Sequence, residues 1–276
     1  MENSTPLNLG SPNSVCCSSL ISFDSKQRLS SVRKVIILAA GIGQRLYPLT
    51  KSIPKCLLKV GGESILAKTL YSLEQAGISE VLLIAGHCAE ALKSHIKSYK
   101  SISFKLLFNP FYAQYNNSYS LWLAGKHLCD GFILFNSDVI ASSDLIHRVV
   151  NSQSTDFMVV DDRKVYEKEA MKVKREGKRI IAISKDLQPK DYDGEYIGIA
   201  KFSPEVGKQL YGELCHLAAL NDGFSKFYEA AIDRLLARFP IAKFSTDSEP
   251  WIEIDDFTDL ARAKKMYQDG HFEPMR

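Results

Sequence analysis

Two periods of apolar residues run along this chain, and the points where one gives way to the other mark its predicted elements. Lys34–Ala39 is apolar on both faces from Val35 onward, the pattern of a central parallel strand. A glycine-rich stretch follows, and then Ser64 caps a helix that gathers Ile65, Leu66, Thr69, Leu70 and Leu73 on one side. Gly77 closes that helix. Val81–Ala85 predicts a second strand ending in Gly86-His87, residues 88–98 a helix, and Ser103–Asn109 a third strand. A polar, aromatic loop from Asn109 leads to a helix over Leu121–Leu128. Phe132–Asp138 is then an apolar strand that ends abruptly in a carboxylate.

The second half keeps the same rhythm. A helix is predicted over Ser143–Val150 with Ser142 or Ser143 as cap, and a strand over Phe157–Val160. Between Met171 and Ser184 two alternating runs form a hairpin that turns at Gly177-Lys178. Tyr196–Phe202 is a strand, Pro204 opens a helix, and residues 224–238 are an amphipathic helix ended by Pro240. Ile241–Phe244 and Trp251–Ile254 finish the sheet, and Asp256 caps a last helix reaching about Tyr267. Strands and helices alternating through short connections predict an α/β fold: a doubly wound, mostly parallel mixed sheet with helices on both faces. Residues 1–31 are rich in Ser and Asn and cannot bury enough apolar surface to offset their ordering entropy. They are expected to be a flexible tail, with one folded domain over about 32–270.

Composition narrows the classes. Net charge is +3, and no cluster of Lys and Arg makes a nucleic-acid footprint. Six scattered cysteines lack metal or disulfide spacing, which suits reduced thiols in a cytoplasmic protein. No apolar run approaches a membrane span, and the N-terminus has neither a basic leader nor a sustained apolar core, so neither membrane insertion nor a cleaved signal is expected. A homo-oligomer is compatible with the sequence, which does not decide the point.

The chemistry starts in the glycine stretch, Leu38-Ala-Ala40-Gly41-Ile-Gly43-Gln-Arg45-Leu-Tyr-Pro-Leu-Thr, followed by Pro54-Lys55-Cys-Leu-Leu. Gly41 and Gly43 let backbone N–H groups converge on an anion without a Cβ in the way, and two cations suit a polyphosphate. A dinucleotide-binding turn would need a glycine or alanine where Leu46 stands, and a P-loop would need Gly-Lys-Ser/Thr. The complete run resembles the signature of nucleotidyltransferases, which condense a nucleoside triphosphate with a phosphorylated small molecule. That resemblance implies a Rossmann-like fold and attack of an acceptor phosphate on the α-phosphorus, with pyrophosphate leaving. Such an acceptor is already largely a dianion at pH 7, so no general base is needed, and catalysis rests on alignment and charge neutralisation.

Within it, Arg45 is assigned to the β- and γ-phosphates and Lys55 to the α-phosphate and the incoming phosphate. Asp138, at a strand's carboxyl end on the edge where α/β sheets collect ligands, is the first metal candidate. Glu253 and Asp255 point to one face of a strand and could share the same Mg2+. Asp256 is left to helix capping.

Later pieces are similar to the phosphocholine cytidylyltransferase branch: Asn116-Asn117-Ser-Tyr-Ser120-Leu, Gly194-Glu-Tyr-Ile-Gly-Ile-Ala, Phe227-Tyr228-Glu229 and Trp251-Ile-Glu-Ile-Asp-Asp256. The resemblance implies CTP as donor, with Leu38, Ala40, Gly86, Asn116, Asn117 and Ser120 around the nucleotide and Lys185 on the acceptor phosphate. A trimethylammonium acceptor would want an aromatic cage and a carboxylate. Tyr112, Tyr192, Tyr196, Phe224, Tyr228, Trp251, Glu195 and Glu229 offer one, with Tyr228 and Glu229 the preferred pair because the branch has Tyr-Glu there. The resulting expectation is a Mg2+-dependent cytidylyltransferase acting on phosphocholine or a related small phosphate or phosphonate. A sugar-1-phosphate nucleotidyltransferase and a catalytically silent nucleotide-binding relative are the alternatives. Retention of Arg45, Lys55, Asp138 and Asp255 together argues against silence.

Overall fold

Strand β1 (Val35–Ala39) is buried along its whole length, as its two-sided apolar pattern requires, because it runs through the middle of a sheet covered on both faces. The computed structural model describes residues 32–163 and 169–272; the tail expected over 1–31 lies outside the described residues. After β1 come the short pair β2 (Lys59–Val60) and β3 (Glu63–Ser64), α1 (Ile65–Gln75), β4 (Glu80–Ala85), α2 (Ala89–Ile96) and β5 (Ser103–Phe108). The middle of the chain forms α3 (Asn117–Ala124), β6 (Phe132–Asn136), β7 (Val139–Ala141), α4 (Ser143–Asn151) and β8 (Phe157–Asp161). The hairpin β9 (Lys172–Glu176) and β10 (Arg179–Ser184) leads to β11 (Gly194–Phe202) and α5 (Pro204–Ala218). Last come α6 (Glu229–Leu236), β12 (Ala242–Ser245), β13 (Trp251–Glu253) and α7 (Phe257–Gln268).

Nine strands form the main sheet in the order β5-β4-β1-β6-β11-β8-β12-β10-β9. Strands β5, β4, β1 and β6 are parallel, and β11 joins them antiparallel to β6. Alternate residues of β1 face opposite cores, which is how one strand serves two helical layers. Val35, Ile37 and Ala39 pack with Leu66, Leu70 and Leu73 of α1 and with Leu145 and Val149 of α4. Ile36 and Leu38 face Leu121 of α3, Leu210 of α5 and Ile232 of α6.

The caps are where the side chains promise them. Ser64 Oγ accepts the Ala67 N–H at 3.0 Å, Ser142 caps α4, and Asp256 forms a capping box with Asp259.

Three expectations are corrected. Trp251–Ile254 does not finish the main sheet: β13 pairs antiparallel with β7 in a separate two-stranded sheet, seated on a third core that Ile140, Ile252, Ile254 and Leu260 share. The helix expected over Leu121–Leu128 starts four residues earlier, because the Asn116 side chain caps it, and gives way after Ala124 to a 3-10 turn at Gly125–Asp130, where Gly125 takes a positive φ. The helix expected over 224–238 is a 3-10 turn, Gly223–Ser225, followed by α6. Asn117 Oδ1 accepts the Tyr228 N–H at 2.9 Å and fixes where α6 begins.

Candidate active site

The parallel register of β1 and β6 sets Leu38 beside Asn136, so the glycine stretch and the Asn136-Ser-Asp138 turn leave the sheet side by side at its carboxyl edge. Between them opens a cleft of about 680 Å³. Leu38, Ala40, Gly41, Gly43, Arg45 and Lys55 line one part of it; Asn116, Asn117 and Ser120 line another; Asp138, Lys185, Glu229, Glu253 and Asp255 complete the set of expected residues that meet there.

Gly43 holds φ +67°, and a Cβ there would press on Lys55 Cβ and Thr50 Cγ2 at 3.2 Å. Glycine is therefore needed both for the turn and for the seat of Lys55. Gly41 has no protein atom within 4 Å of a Cβ position, so its smallness keeps open space rather than relieving a clash.

Lys55 is the hub. Its Nζ lies 2.6 Å from Asp138 Oδ2 and 2.8 Å from Asp255 Oδ1, and Arg45 reaches the other Asp255 oxygen at 2.8 Å. Burial works against the Lys55 charge, but Asp138 and Asp255 outweigh it and hold the ammonium well above its usual range. For Arg45 too, burial opposes and Asp255 prevails. Asp255 resists its own burial because Lys55 and Arg45 pull its pKa below the ordinary carboxylate value. For Glu253 the balance reverses: burial, then the charges of Asp138 and Asp255, outweigh the attraction of Lys55 and push its pKa well above the ordinary range.

Asp138, Glu253 and Asp255 bring one carboxylate oxygen each within 4.8 Å of one another. The two-stranded β7–β13 sheet is what makes this possible, since Asp138 precedes one strand and Glu253 closes the other. Asp138 Oδ1 is buried with no hydrogen-bond partner. An orphaned oxygen beside two more carboxylates is the donor set a hard divalent cation takes, and the residues fit such an ion.

The asparagines shape the wall. Asn116 Oδ1 accepts the Asn117 N–H at 2.8 Å while its Nδ2 approaches Ser225 O at 3.3 Å. Asn109 Nδ2 donates to Ser120 Oγ at 3.0 Å. Lys185 lies 3.5 Å from Glu169 and 4.6 Å above the Phe227 ring. Burial pushes the Glu229 carboxyl up to about 7, and its Oε2 has no hydrogen-bond partner.

Three expected residues are not on the cleft lining. Gly86 is a packing glycine: a Cβ there would fall 2.6 Å from Tyr112 Cβ and 2.7 Å from Ala40 O. Glu195 is not among the lining residues, although its charge reaches Glu253. Tyr228 is wholly buried, its hydroxyl 3.0 Å from that of Tyr196 and donating to Asn136 Oδ1 at 3.2 Å. Of the cage residues, Tyr112, Tyr196 and Glu229 line the cleft, and the others do not. Trp251 Nε1 donates to Asp161 at 2.8 Å, Phe224 packs among Tyr115, Tyr119 and Trp122, and Tyr192 stands by Lys172. Conversely Asn136, Tyr115 and Glu169 line the cleft without a motif to single them out. The signal for Asn136 was Gly198, whose positive φ and absent Cβ make room for the Asn136 side chain.

A family model described as nucleotidyl transferase matches residues 34–192. CTP:phosphoglutamine cytidylyltransferase of Campylobacter jejuni is 27% identical over 246 residues, covering 82% of this chain and 96% of that protein. Choline-phosphate cytidylyltransferase of Streptococcus pneumoniae is 36% identical over 101 residues, 37% of this chain and 43% of the relative. Among solved structures, the CTP:phosphocholine cytidylyltransferase of Streptococcus pneumoniae superposes with a TM-score of 0.70 at 22% identity, over 86% of this chain and 100% of that one.

Proposed function

The chain belongs to the nucleotidyl transferase family, and from that premise we propose that it is a cytidylyltransferase, moving CMP from CTP to phosphocholine or a related small phosphate or phosphonate and releasing pyrophosphate. The observation that carries the chemistry is Lys55 held between Asp138 and Asp255 at the floor of the cleft, beside an acidic cluster fit for a divalent cation. The choice of CTP is supported by the two cytidylyltransferase relatives.

In this reading the backbone from Leu38 to Gly43 receives the nucleotide, with Asn116, Asn117 and Ser120 forming the wall beside the base. Arg45 steadies the outer phosphates. Mg2+ held by Asp138, Glu253 and Asp255 supplies positive charge to the triphosphate oxygens. Lys55, set between Asp138 and Asp255, is placed to bind the α-phosphate and the acceptor phosphate together. The dianionic acceptor phosphate and the singly charged α-phosphate a few Å apart repel by several kcal/mol at an effective dielectric of about 20, and Lys55 offsets that repulsion at the place where they must meet. Lys185 holds the acceptor phosphate, and Glu229 faces the acceptor's other end. No side chain has to remove a proton, because the attacking phosphate oxygen is already ionised.

A pyrophosphate-release screen of the four nucleoside triphosphates against phosphorylated amines, polyols and sugars, with Mg2+, tests the reading. Release with CTP and a small non-sugar acceptor is expected. Release only with UTP or dTTP and a hexose phosphate would replace it with the sugar-nucleotide reading, and no release with any pair would favour a silent nucleotide-binding protein.

A further inference from the structure

Among the acidic side chains lining the cleft, Asp138, Glu253 and Asp255 form the cation cluster and Glu169 pairs with Lys185. Glu229 is left over. It is 4% exposed, it lines the cleft, and its Oε2 meets no donor in the described protein. Its own backbone N–H, the Tyr228 hydroxyl and the charge of Lys185 favour its ionised form, and burial outweighs them. A carboxylate oxygen shut away from water without a hydrogen bond calls for a ligand donor.

Among the described residues, the aromatic rings lining the cleft each have another partner, while Tyr115 and Phe227 stay partly exposed. Phe227 carries the Lys185 ammonium on its face. Tyr196 is 3% exposed and tied through its hydroxyl to Tyr228. Tyr112 leans on His87 beside the glycine stretch, and Tyr115 packs against Phe224 and Tyr119. Recognition of a quaternary ammonium relies on open ring faces, because its methyl groups offer no polar hydrogen. A protonated amine answers the empty oxygen of Glu229 and joins Lys185 in opposing its negative charge. A hydroxyl answers only the first, and a trimethylammonium only the second.

We propose that Glu229 determines acceptor specificity, selecting a phospho- or phosphono-alkylamine whose cationic end keeps at least one N–H over the same molecule with a trimethylammonium end. This rests on the reading of the chain as a cytidylyltransferase for small phosphorylated acceptors. The phosphate end lies with Lys55 and Lys185, and the amine donates to Glu229 Oε2.

The test is steady-state pyrophosphate release with CTP and Mg2+ across ethanolamine phosphate and its N-methyl, N,N-dimethyl and N,N,N-trimethyl derivatives. This series keeps the charge and the phosphate while removing N–H groups one at a time. The final methylation, which removes the last N–H, is expected to lower kcat/KM by about tenfold or more, mostly through KM, since a site built to accept a hydrogen bond penalises the analogue that lacks it. In Glu229→Gln that step shrinks to about twofold or less. A trimethyl acceptor used as well as its dimethyl counterpart, or a step of unchanged size in the variant, would overturn the proposal while the cytidylyltransferase reading stands. Absence of pyrophosphate from CTP with every member would overturn both. Should Glu229→Gln fail to fold, the wild-type series decides alone.

Discussion

Lys55 and Asp255 lie 200 residues apart in the chain and 2.8 Å apart in space. Their ion pair joins the glycine stretch that leaves β1 to the acidic turn that follows β13, and Asp138 closes the arrangement from a third segment. A lysine ammonium thus lies against an acidic cluster whose residues fit a divalent cation, and cation and substrate binding are expected to be coupled through that side chain.

If Lys55 meets the reacting phosphates and Asp138 helps hold the cation, each acts most strongly in the transition state. Lys55→Ala and Asp138→Ala are each expected to lower kcat by about 10²-fold or more, on the scale of losing an oxyanion donor. Single-turnover rates measure this, and a wild-type rate removes that residue from the mechanism.

Lys55 is also structural in the absence of ligand. Replacing it with Met leaves Asp138, Glu253 and Asp255 facing one another, and the loss of one partner from a largely buried ion pair costs about 3–5 kcal/mol. Denaturant unfolding in EDTA is expected to show that deficit, and saturating Mg2+ to recover part of it by replacing the missing charge. A Lys55→Met protein as stable as wild type in EDTA would contradict the central place given to the lysine.

The acceptor end carries its own pH signature. Burial raises the Glu229 pKa from 4.5 to about 7, so between those values the folded state keeps a proton that the unfolded chain releases. Stability from this group is therefore fully present below about 4.5 and is lost as pH rises through about 7. The Tm of the wild type relative to Glu229→Gln is expected to fall across that window. Parallel Tm profiles would show that Glu229 ionises at an ordinary pH.

Gly198 sits in β11 at φ +79°, and a Cβ there would come within 2.6 Å of Asn136 Nδ2. Gly198→Ala combines backbone strain of about 1–3 kcal/mol with displacement of Asn136 from the cleft and from the Tyr228 hydroxyl. A lower Tm together with a raised KM is expected. Unchanged values for both would show that Asn136 has room to move without consequence.

Much of this was legible in the residues themselves. Two-sided apolar strands, Ser64 and Asp256 as caps and the hairpin at Gly177 depend on local chemistry, which sequence displays directly. So does the glycine–arginine–lysine signature, whose residues fall in one continuous stretch carrying 3-10 turns at Gln44–Leu46 and Lys55–Leu57. What could not be read depends on contacts between distant segments. A three-residue apolar run such as Trp251–Glu253 does not announce which strand it pairs with, and here it joins β7 rather than the main sheet. Adjacent residues also divide between cleft and core: Glu229 opens a helix with its carboxylate towards the cleft, while Tyr228 one position earlier is sealed beneath it. Gly86 leaves the same trace in sequence whether a nucleotide or a protein neighbour approaches it, and on its Cβ side Ala40 and Tyr112 do so.

The central claim is that an acceptor phosphate attacks the α-phosphorus of CTP in the cleft around Lys55. Phosphorus NMR of the protein with CTP, Mg2+ and ethanolamine phosphate tests it most directly, because the spectrum identifies which bond forms. The account predicts a new unsymmetrical diphosphate ester, a pair of coupled doublets, growing in step with inorganic pyrophosphate and absent with Lys55→Ala. Formation of CDP and orthophosphate instead, or an unchanged CTP spectrum across the acceptor panel, would contradict it.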